Sequence, residues 1–248
     1  MAGKLMTQAS LSELDLDRVP RHVAVIMDGN GRWAQSRGLK RLLGHREGYK
    51  TLKKVLFAAS GLGVKCLTAY GFSVENWRRP EDEVGGLMSL IEEAAKLELQ
   101  DLKRNNVQAR VSGRLHEVPE RTRRALQDMV DETSQNTGIV FNLAINYGGR
   151  AEVVDAVRQV ILSGVAADEV TEDLISSHMY SPDLPDPDLM IRTAGEMRWS
   201  NFLLWESAYT ELYVTDVPWP EFDESELRKA VLAYQSRQRK FGGLVDQA

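Results

Sequence analysis

The chain has 248 residues, of which 43% are apolar, and a formal net charge of −5. This is enough apolar material for one sizeable core, so one domain is the simplest organisation. The single cysteine, Cys66, excludes an internal disulfide, and we expect a cytoplasmic protein. Residues 1–19 lack the pattern of a signal peptide or a membrane span, and we expect residues 1–20 to be a flexible leader before a domain over residues 21–248.

Apolar runs typical of strands alternate along the chain with amphipathic patterns typical of helices. The runs predict strands near residues 22–27, 64–72, 107–113, 139–146 and 188–192. The amphipathic patterns predict helices near residues 42–60, 84–104, 118–135, 150–163 and 223–239. This alternation favours an α/β fold with a mainly parallel central sheet flanked by helices.

The first predicted strand ends at a carboxylate. Asp28 follows an apolar run and opens a glycine-rich turn, whose next residues are Gly29, Asn30, Gly31, Arg32 and Trp33. In open α/β sheets ligands bind outside the carboxyl ends of strands, and glycines let backbone N–H groups approach an anion. Because Asn-Gly is also a strong hairpin signal, the turn on its own favours a plain structural role.

A basic segment follows the turn. Residues 32–54 contain eight Lys or Arg and one acid, a local charge of +7 in an acidic protein. A local field of this kind favours a small anionic ligand over nucleic acid. Arg32, Arg41 and His45 lie near the turn and are candidates for that ligand. The lysines of the helix are interpreted as a solvated helix face, and these are Lys50, Lys53 and Lys54.

Two more polar groups follow predicted strands. Residues 73–80 contain Ser73 and Asn76, which either cap the next helix or reach a ligand at the edge where Asp28 lies. Residues 192–201 carry two arginines and a serine, and arginine pairs of this kind suit a diphosphate. A third segment, residues 207–210, lies between Glu206 and Glu211. Taken alone, each of these two acids is interpreted as an ordinary surface residue.

The helix predicted over residues 84–104 has one broad apolar stripe. Its members are Val84, Leu87, Met88, Ile91, Ala94, Ala95 and Leu102. Such a stripe usually packs in a core. The small Ala94 and Ala95 leave open a second interpretation, in which the stripe lines a channel for an elongated apolar ligand.

Taken together, these segments resemble the cis-prenyltransferase family, the undecaprenyl diphosphate synthase group, over about residues 21–243. The resemblance covers HVAVIMDGNGRWA at residues 22–34, FSVENWRRP at 72–80 and IRTAGE at 191–196. It extends to residues 44–48, 142–150, 200–205 and 208–213. Several spaced motifs in order are far more specific than the glycine turn alone.

The resemblance implies an enzyme that condenses isopentenyl diphosphate onto an allylic diphosphate, such as farnesyl diphosphate, with each new double bond cis. It implies a medium-length, undecaprenyl-like carrier lipid for cell-wall synthesis, an apolar substrate channel, Mg²⁺ as cofactor and a homodimer. The product would be a membrane lipid, which implies a peripheral contact with a membrane. The alternative within this family is a non-catalytic subunit of a heteromeric synthase, in which loss of the metal-binding aspartate is expected.

The resemblance also implies roles for individual residues. Asp28 would bind the metal, and Glu211 would contribute to the metal site or to closure across a dimer interface. The allylic diphosphate would be held by Gly29, Asn30, Gly31, Arg32, Arg41, His45 and Arg79, with Trp33 beside them. Isopentenyl diphosphate would be held by Arg192, Arg198 and Ser200, with Trp199 beside them. Asn76 matches a position proposed to assist proton removal, and its neighbours in the motif are Ser73, Val74, Glu75 and Trp77.

Two residues depart from the usual pattern of the family. Ala194 stands where glycine or serine is commoner, and we expect it to be tolerated because Gly195 follows. Gly71 replaces the usual alanine before Phe72 and is expected to alter the floor of the channel. Among other classes, a haloacid-dehalogenase-type phosphatase needs a second acid two residues after the first aspartate, and that position is Asn30.

Overall fold

A computed structural model describes residues 14–237 as a six-stranded sheet covered by helices on both faces. The strands are β1 (His22–Ile26), β2 (Cys66–Ser73), β3 (Gln108–Ser112), β4 (Val140–Tyr147), β5 (Leu189–Arg192) and β6 (Glu211–Val214). The helices are α1 (Asn30–Gln35), α2 (Arg41–Leu62), α3 (Glu81–Arg104), α4 (Glu120–Thr133), α5 (Gly149–Leu162), α6 (Glu172–Ser176) and α7 (Glu224–Gln235). No helix within residues 14–237 is both long and apolar enough to cross a membrane.

All the strand pairings of this sheet are parallel, in the order β3-β4-β2-β1-β5-β6. Strand β1 lies in the interior, where Val25 pairs with Ala69 of β2 and with Ile191 of β5. The carboxyl ends of β1, β2 and β5 therefore lie side by side at one edge of the sheet. Side chains that follow these strands meet there although they are far apart in the sequence.

The sheet separates two apolar cores. Val23 and Val25 of β1 pack in the larger core with residues of α2, α3, α4 and α7. Ala24 and Ile26 point to the other face, into a smaller core that contains Tyr147 and Phe202. A strand buried on both faces has no polar side to alternate with, which explains why the strand sequences are nearly continuous apolar runs.

The predicted strands and long helices are confirmed, with ends displaced by a few residues. The hairpin interpretation of the glycine turn is wrong, because Asn30 begins α1 after Gly29 adopts a left-handed φ of 97°. Strand β6 and the short helices α1 and α6 were not predicted from the sequence. Elements of four to six residues are too short for a recognisable period, and β6 is a strand because it pairs with β5.

The leader predicted over residues 1–20 falls partly outside the described residues, as do residues 238 and 239 of the last predicted helix. Within the described part, Leu14 and Val19 pack against the larger core. Arg18 donates a hydrogen bond to the carbonyl of Gln235 at 2.8 Å. These contacts connect the segment before β1 to the end of α7.

Cys66 is buried in β2, and burial raises the pKa of its thiol to about 12. Two glycines of α2 allow α1 to approach closely. A Cβ on Gly44 would lie 2.0 Å from the backbone oxygen of Asn30, and one on Gly48 would lie 2.1 Å from the Asn30 side-chain oxygen. Any larger residue at these two positions would push α2 away from the glycine turn.

A pair of carboxyl groups lies between α5 and the segment after β5. Glu152 is 1% exposed and accepts hydrogen bonds from the hydroxyl of Tyr147 and from the backbone N–H of Tyr180. Glu206 lies beside it, and burial together with the charge of Glu152 raises the pKa of Glu206 to about 8. Burial also raises the pKa of Glu152. The expectation that Glu206 is an ordinary surface residue is therefore wrong.

The raised pKa of Glu206 predicts that stability falls with pH. The folded protein keeps a proton that the unfolded chain releases above a pKa of about 4.5, so stability is lost as the pH rises from about 4.5 to about 8. Glu206→Gln cannot ionise, and its melting temperature should fall less than that of the wild type over this range. Thermal unfolding from pH 5 to pH 9 measures the difference, with the exposed Glu224→Gln as control. Parallel curves for the wild type and Glu206→Gln would contradict the assignment.

Candidate functional site

A buried guanidinium connects the ends of two neighbouring strands. Arg192, at the end of β5, is 2% exposed and donates from Nη2 and Nε to Oδ2 of Asp28, at 2.7 and 3.2 Å. Its Nη1 donates to Ser200 Oγ at 2.7 Å and to the carbonyl of Arg198. The two predicted motifs that contain Asp28 and Arg192 therefore form one structure, and Arg192 holds the loop after β5 against β1.

Only one of the two carboxylate oxygens of Asp28 accepts hydrogen bonds from Arg192. Both bonds from Arg192 go to Oδ2, and Oδ1 takes part in no hydrogen bond among residues 14–237. The side chain is 36% exposed and lines a cavity. Asp28 therefore has an oxygen available to a cation.

A second charged cluster lies at the start of α3. Glu83 accepts hydrogen bonds from Arg41 Nε at 3.2 Å and from Arg79 Nη1 at 3.0 Å. The His45 Nε2 atom is 3.8 Å from the same carboxylate. The side chain of Glu83 is only 14% exposed, and the neighbouring arginines hold its pKa below the usual range against the effect of burial. Three groups predicted to bind one diphosphate therefore surround one carboxylate.

His45 is neutral near pH 7. Burial, and next the charge of Arg79, lower the pKa of its imidazole to about 4. Its Nε2 atom is buried and makes no hydrogen bond within the described chain, and the same is true of Asn30 Oδ1. Both residues line the cavity. Buried polar atoms without partners are rare in folded proteins, and two at one place fit a site that a polar ligand completes.

Ser73 and Asn76 form a local cap at the end of β2. The backbone N–H of Ser73, the residue before the short helix that follows, donates to Asn76 Oδ1 at 3.1 Å. The capping interpretation is thus confirmed, and both side chains also line the cavity. Trp77 instead donates from its indole to Asn146 Oδ1 at 2.7 Å and packs edge-on against Phe72.

The cavity has a volume of about 680 Å³ and extends from the strand ends between α2, α3 and the sheet. We call the end of the cavity next to the strand ends its head. The head is polar and contains ten of the predicted site residues, namely Asp28, Asn30, His45, Ser73, Glu75, Asn76, Arg79, Arg192, Arg198 and Ser200. The far end of the cavity is apolar, with Leu102, Met129 and Phe141. The stripe of α3 both packs in the core and lines this cavity, through Leu87, Ile91, Ala94, Ala95 and Leu102.

Eight predicted ligand residues lie outside the lining of the cavity, and they are Gly29, Gly31, Arg32, Trp33, Arg41, Val74, Trp77 and Trp199. Two of them lie next to other parts of the site: Gly31 next to the cluster around Glu83, and Arg32 next to the loop after β5. A Cβ on Gly31 would lie 2.5 Å from the guanidinium of Arg41. Arg32 donates to the carbonyl of Ala194 at 3.2 Å. Trp33 turns away from the cavity, since its indole donates to Glu221 at 2.9 Å.

Glu211 does not join Asp28 within one chain. It begins β6, where it pairs with Leu189 at the start of β5, while Arg192 at the end of β5 pairs with Val214. Glu211 thus lies at the opposite edge of the sheet from Asp28, and its carboxylate accepts a hydrogen bond from Arg237 at 2.6 Å. A role across a dimer interface stays a prediction.

Several residues of the site were not predicted from the sequence. Glu83 lies four residues after Arg79, and this helical ion-pair spacing was the available signal. The interpretation of Lys53 as part of a solvated helix face is incomplete, because its partly exposed side chain also lines the cavity together with Tyr49 and Glu98. No sequence pattern could have shown that these three residues line the cavity, because their position there depends on how α2 and α3 pack.

The described residues contain no cluster of three or more His, Cys, Asp or Glu side chains that could hold a metal ion. This does not conflict with Mg²⁺, which is commonly bound by one or two carboxylates together with substrate phosphates and water. Oδ1 of Asp28 is one such ligand, and the arginines beside it suit the phosphates that would complete the coordination. The residues present therefore fit a magnesium ion that arrives with a diphosphate.

The loop after β5 is strained. Ala194, Ser200, Asn201 and Leu203 all have positive φ angles, with 63° at Ala194. A left-handed conformation is costly for a residue with a Cβ, and residues of this kind often occur at functional sites. Having alanine and not glycine at position 194 therefore lowers the free energy of unfolding.

Ala194→Gly should relieve this strain and raise the free energy of unfolding by up to about 1 kcal/mol. Chemical denaturation of both proteins measures the change. The control is Ala166→Gly, at a residue whose φ is −69°, where glycine should not stabilise the protein. A less stable Ala194→Gly variant would show that the methyl group contributes more by packing than it costs in strain.

Comparisons with known proteins agree with this site. A family profile described as "Putative undecaprenyl diphosphate synthase" matches residues 26–242. An isoprenyl transferase of Fusobacterium nucleatum subsp. nucleatum is 52% identical over 226 residues, which cover 91% of this chain and 97% of the relative. An isoprenyl transferase of Halalkalibacterium halodurans is 49% identical over 235 residues, with 93% of this chain and 92% of the relative covered.

Two solved structures are similar throughout. Lavandulyl diphosphate synthase from Lavandula x intermedia, in complex with dimethylallyl diphosphate, has a TM-score of 0.88 and 34% identity, covering 91% of this chain and 99% of that one. A probable undecaprenyl diphosphate synthase from Campylobacter jejuni has a TM-score of 0.77 and 30% identity, covering 90% and 98%. The cationic strand-end site and these similarities over most of the chain lead to one conclusion: the protein belongs to the undecaprenyl diphosphate synthase family of isoprenyl transferases.

Proposed function

We propose that this protein condenses isopentenyl diphosphate onto an allylic diphosphate, with farnesyl diphosphate as primer and a new cis double bond at each step. The product would be a medium-length polyprenyl diphosphate that serves as an undecaprenyl-like carrier lipid for cell-wall synthesis. The observation that carries the proposal is the form of the cavity, whose head is polar with three arginines and whose far end is apolar. A diphosphate attached to a hydrocarbon chain has this same division.

The head of the cavity supports charge separation. Ionisation of an allylic diphosphate leaves negative charge on the departing group, and cations fixed in advance around that group lower the barrier. Arg79 and His45 line the head, while Arg41 reaches the same cluster through Glu83. We assign them to the allylic diphosphate, together with the glycine turn at residues 29–32. The side chain of Trp33 points elsewhere and has at most a packing role.

The loop after β5 supports a second anion site. Arg198 and Ser200 line the cavity beside Arg192, and Arg192 fixes both through its hydrogen bonds. We assign these three residues to isopentenyl diphosphate, with Trp199 packing behind them. Two neighbouring anion sites would hold the reactants close and oriented, which itself contributes to catalysis.

Asp28 would hold Mg²⁺ through Oδ1, and the bound ion would supply positive charge to a diphosphate group. Asn76 has no basic group, so its role in proton removal would be to orient the reacting atoms. The hydrogen bond that Asn76 accepts from the Ser73 backbone supports this, because it fixes the Asn76 side chain at the cavity wall.

The alternative, a non-catalytic subunit of a heteromeric synthase, is not supported by any feature of the site. Asp28 and the arginines are in place and connected. We therefore propose a catalytic homodimer in the cytoplasm that contacts the membrane only peripherally. The test is incubation of the purified chain with farnesyl diphosphate, labelled isopentenyl diphosphate and Mg²⁺. Chain-elongated product supports the proposal, and release of phosphate without elongation contradicts it.

Asp28→Asn should lower the condensation rate by a factor of at least about 100, which corresponds to about 3 kcal/mol in the barrier. Asparagine keeps an oxygen for the buried Arg192 but removes the charge that binds the metal. Alanine is less suitable, because it would leave the Arg192 guanidinium buried and unpaired. Steady-state rates at several Mg²⁺ concentrations test this, with the exposed Asp168→Asn as control. Near-normal turnover of Asp28→Asn at saturating Mg²⁺ would remove Asp28 from the mechanism.

The two anion sites should separate in kinetics. Arg198→Ala should raise the KM for isopentenyl diphosphate about tenfold or more, since a charged hydrogen bond contributes about 1.5–3 kcal/mol. Arg41→Ala should act mainly on the KM for the allylic substrate. Initial rates with each substrate varied in turn test the assignment. Equal effects of both substitutions on both substrates would show that the sites are not distinct.

A further inference from the structure

Four polar side chains join α2 to α3 beside the cavity. Tyr49 and Lys53 come from α2, and Glu98 and Asp101 come from α3. The Tyr49 hydroxyl donates to Glu98, and Lys53 Nζ lies 2.5 Å from Glu98 Oε2 and 2.5 Å from Asp101 Oδ2. Burial, and next the hydrogen bond to Glu98, raise the pKa of Tyr49, so its hydroxyl keeps the proton it donates. We call these four residues the α2–α3 clasp.

The clasp faces the cavity and the solvent at the same time. Tyr49, Lys53 and Glu98 line the cavity. The side chains of Lys53 and Asp101 are also 33% and 31% exposed. Lys53 therefore connects the lining of the cavity to the partly exposed Asp101, and ion pairs and one hydrogen bond hold the wall closed there.

The position of the clasp separates it from the diphosphate groups. Lys53 follows His45 by eight residues, which is about 12 Å along α2. Leu52, Leu56 and Ala95 line the cavity near this level, so the clasp is a charged interruption in an apolar wall. Beyond it, Leu102 and Phe141 are buried and belong to the packed core.

These observations limit where a growing apolar chain can go. Once the chain has filled the apolar end, further growth must displace either tightly packed core side chains or the clasp. Densely packed cores resist displacement, whereas ion pairs that reach solvent are weak. An apolar chain pressing on charged groups is itself unfavourable, because it separates those groups from water and from one another.

We propose that the α2–α3 clasp determines product length, because it holds α2 and α3 together and limits the lateral expansion of the cavity. This inference rests on the proposed function and adds a specificity determinant to it. A weaker clasp allows α2 and α3 to separate, so the chain reaches a greater length before elongation stops. Tyr49, Lys53 and Glu98 are the residues that carry this role.

The test is the double variant Lys53→Met with Glu98→Met, which removes both charges and keeps side chains of similar length. The main product made from farnesyl diphosphate and labelled isopentenyl diphosphate should become longer by at least one isoprene unit, as read by chromatography. The matched control is Glu47→Met with Lys50→Met. This pair removes an ion pair of 2.7 Å on the same helix that does not line the cavity, and it should leave product length unchanged.

Tyr49→Phe is the second variant. It keeps the ring and loses only the hydrogen bond to Glu98, so it decides the question if the double variant does not fold, as judged by circular dichroism. A larger share of longer products is expected from it. Active variants with wild-type product length would overturn the clasp proposal and leave the proposed function standing. A wild-type protein that makes no elongated product would instead overturn the proposed function.

Discussion

The site depends on the need to pair one buried charge. Arg192 is almost completely shielded from water, and an unpaired guanidinium there would be strongly destabilising. Asp28, Ser200 and the carbonyl of Arg198 satisfy it, and these groups come from the end of β1 and from the loop after β5. The same contacts that stabilise the fold therefore place a carboxylate, a hydroxyl and a second arginine around the head of the cavity before any substrate binds.

A second cluster holds two guanidinium groups and a neutral imidazole together at the start of α3. Arg41, Arg79 and His45 converge on Glu83, a carboxylate within the protein. Positive groups held close together repel one another unless an anion lies between them, and Glu83 supplies that anion. It keeps the guanidinium groups in position, while the neutral His45 leaves Nε2 without a partner. The proposed diphosphate would enter a site whose charges are already arranged.

The cavity differs along its length because its walls come from different elements. Strand ends and their loops supply polar groups at the head, since backbone and side chains there face a site outside the sheet. The faces of α2 and α3 supply apolar groups further in, since these helices also form the larger core. The α2–α3 clasp is the exception, and it lies where the two helices form the boundary between cavity and solvent.

Local sequence patterns predicted most of the strands and several residues of the site. Apolar runs placed five of the six strands, and the rule that parallel strands end at a common edge brought Asp28, Ser73 and Arg192 together in advance. Periodicity tells which face of a helix is buried but not what covers it, so Lys53 was interpreted only as solvated although it also faces a cavity. Glu206 became a partly buried acid with a raised pKa only through the packing of α5 against the segment after β5. Glu211 was placed at the opposite edge by the pairing of β6 with β5. Each of these depends on contacts between residues distant in the chain, and no local pattern records such contacts.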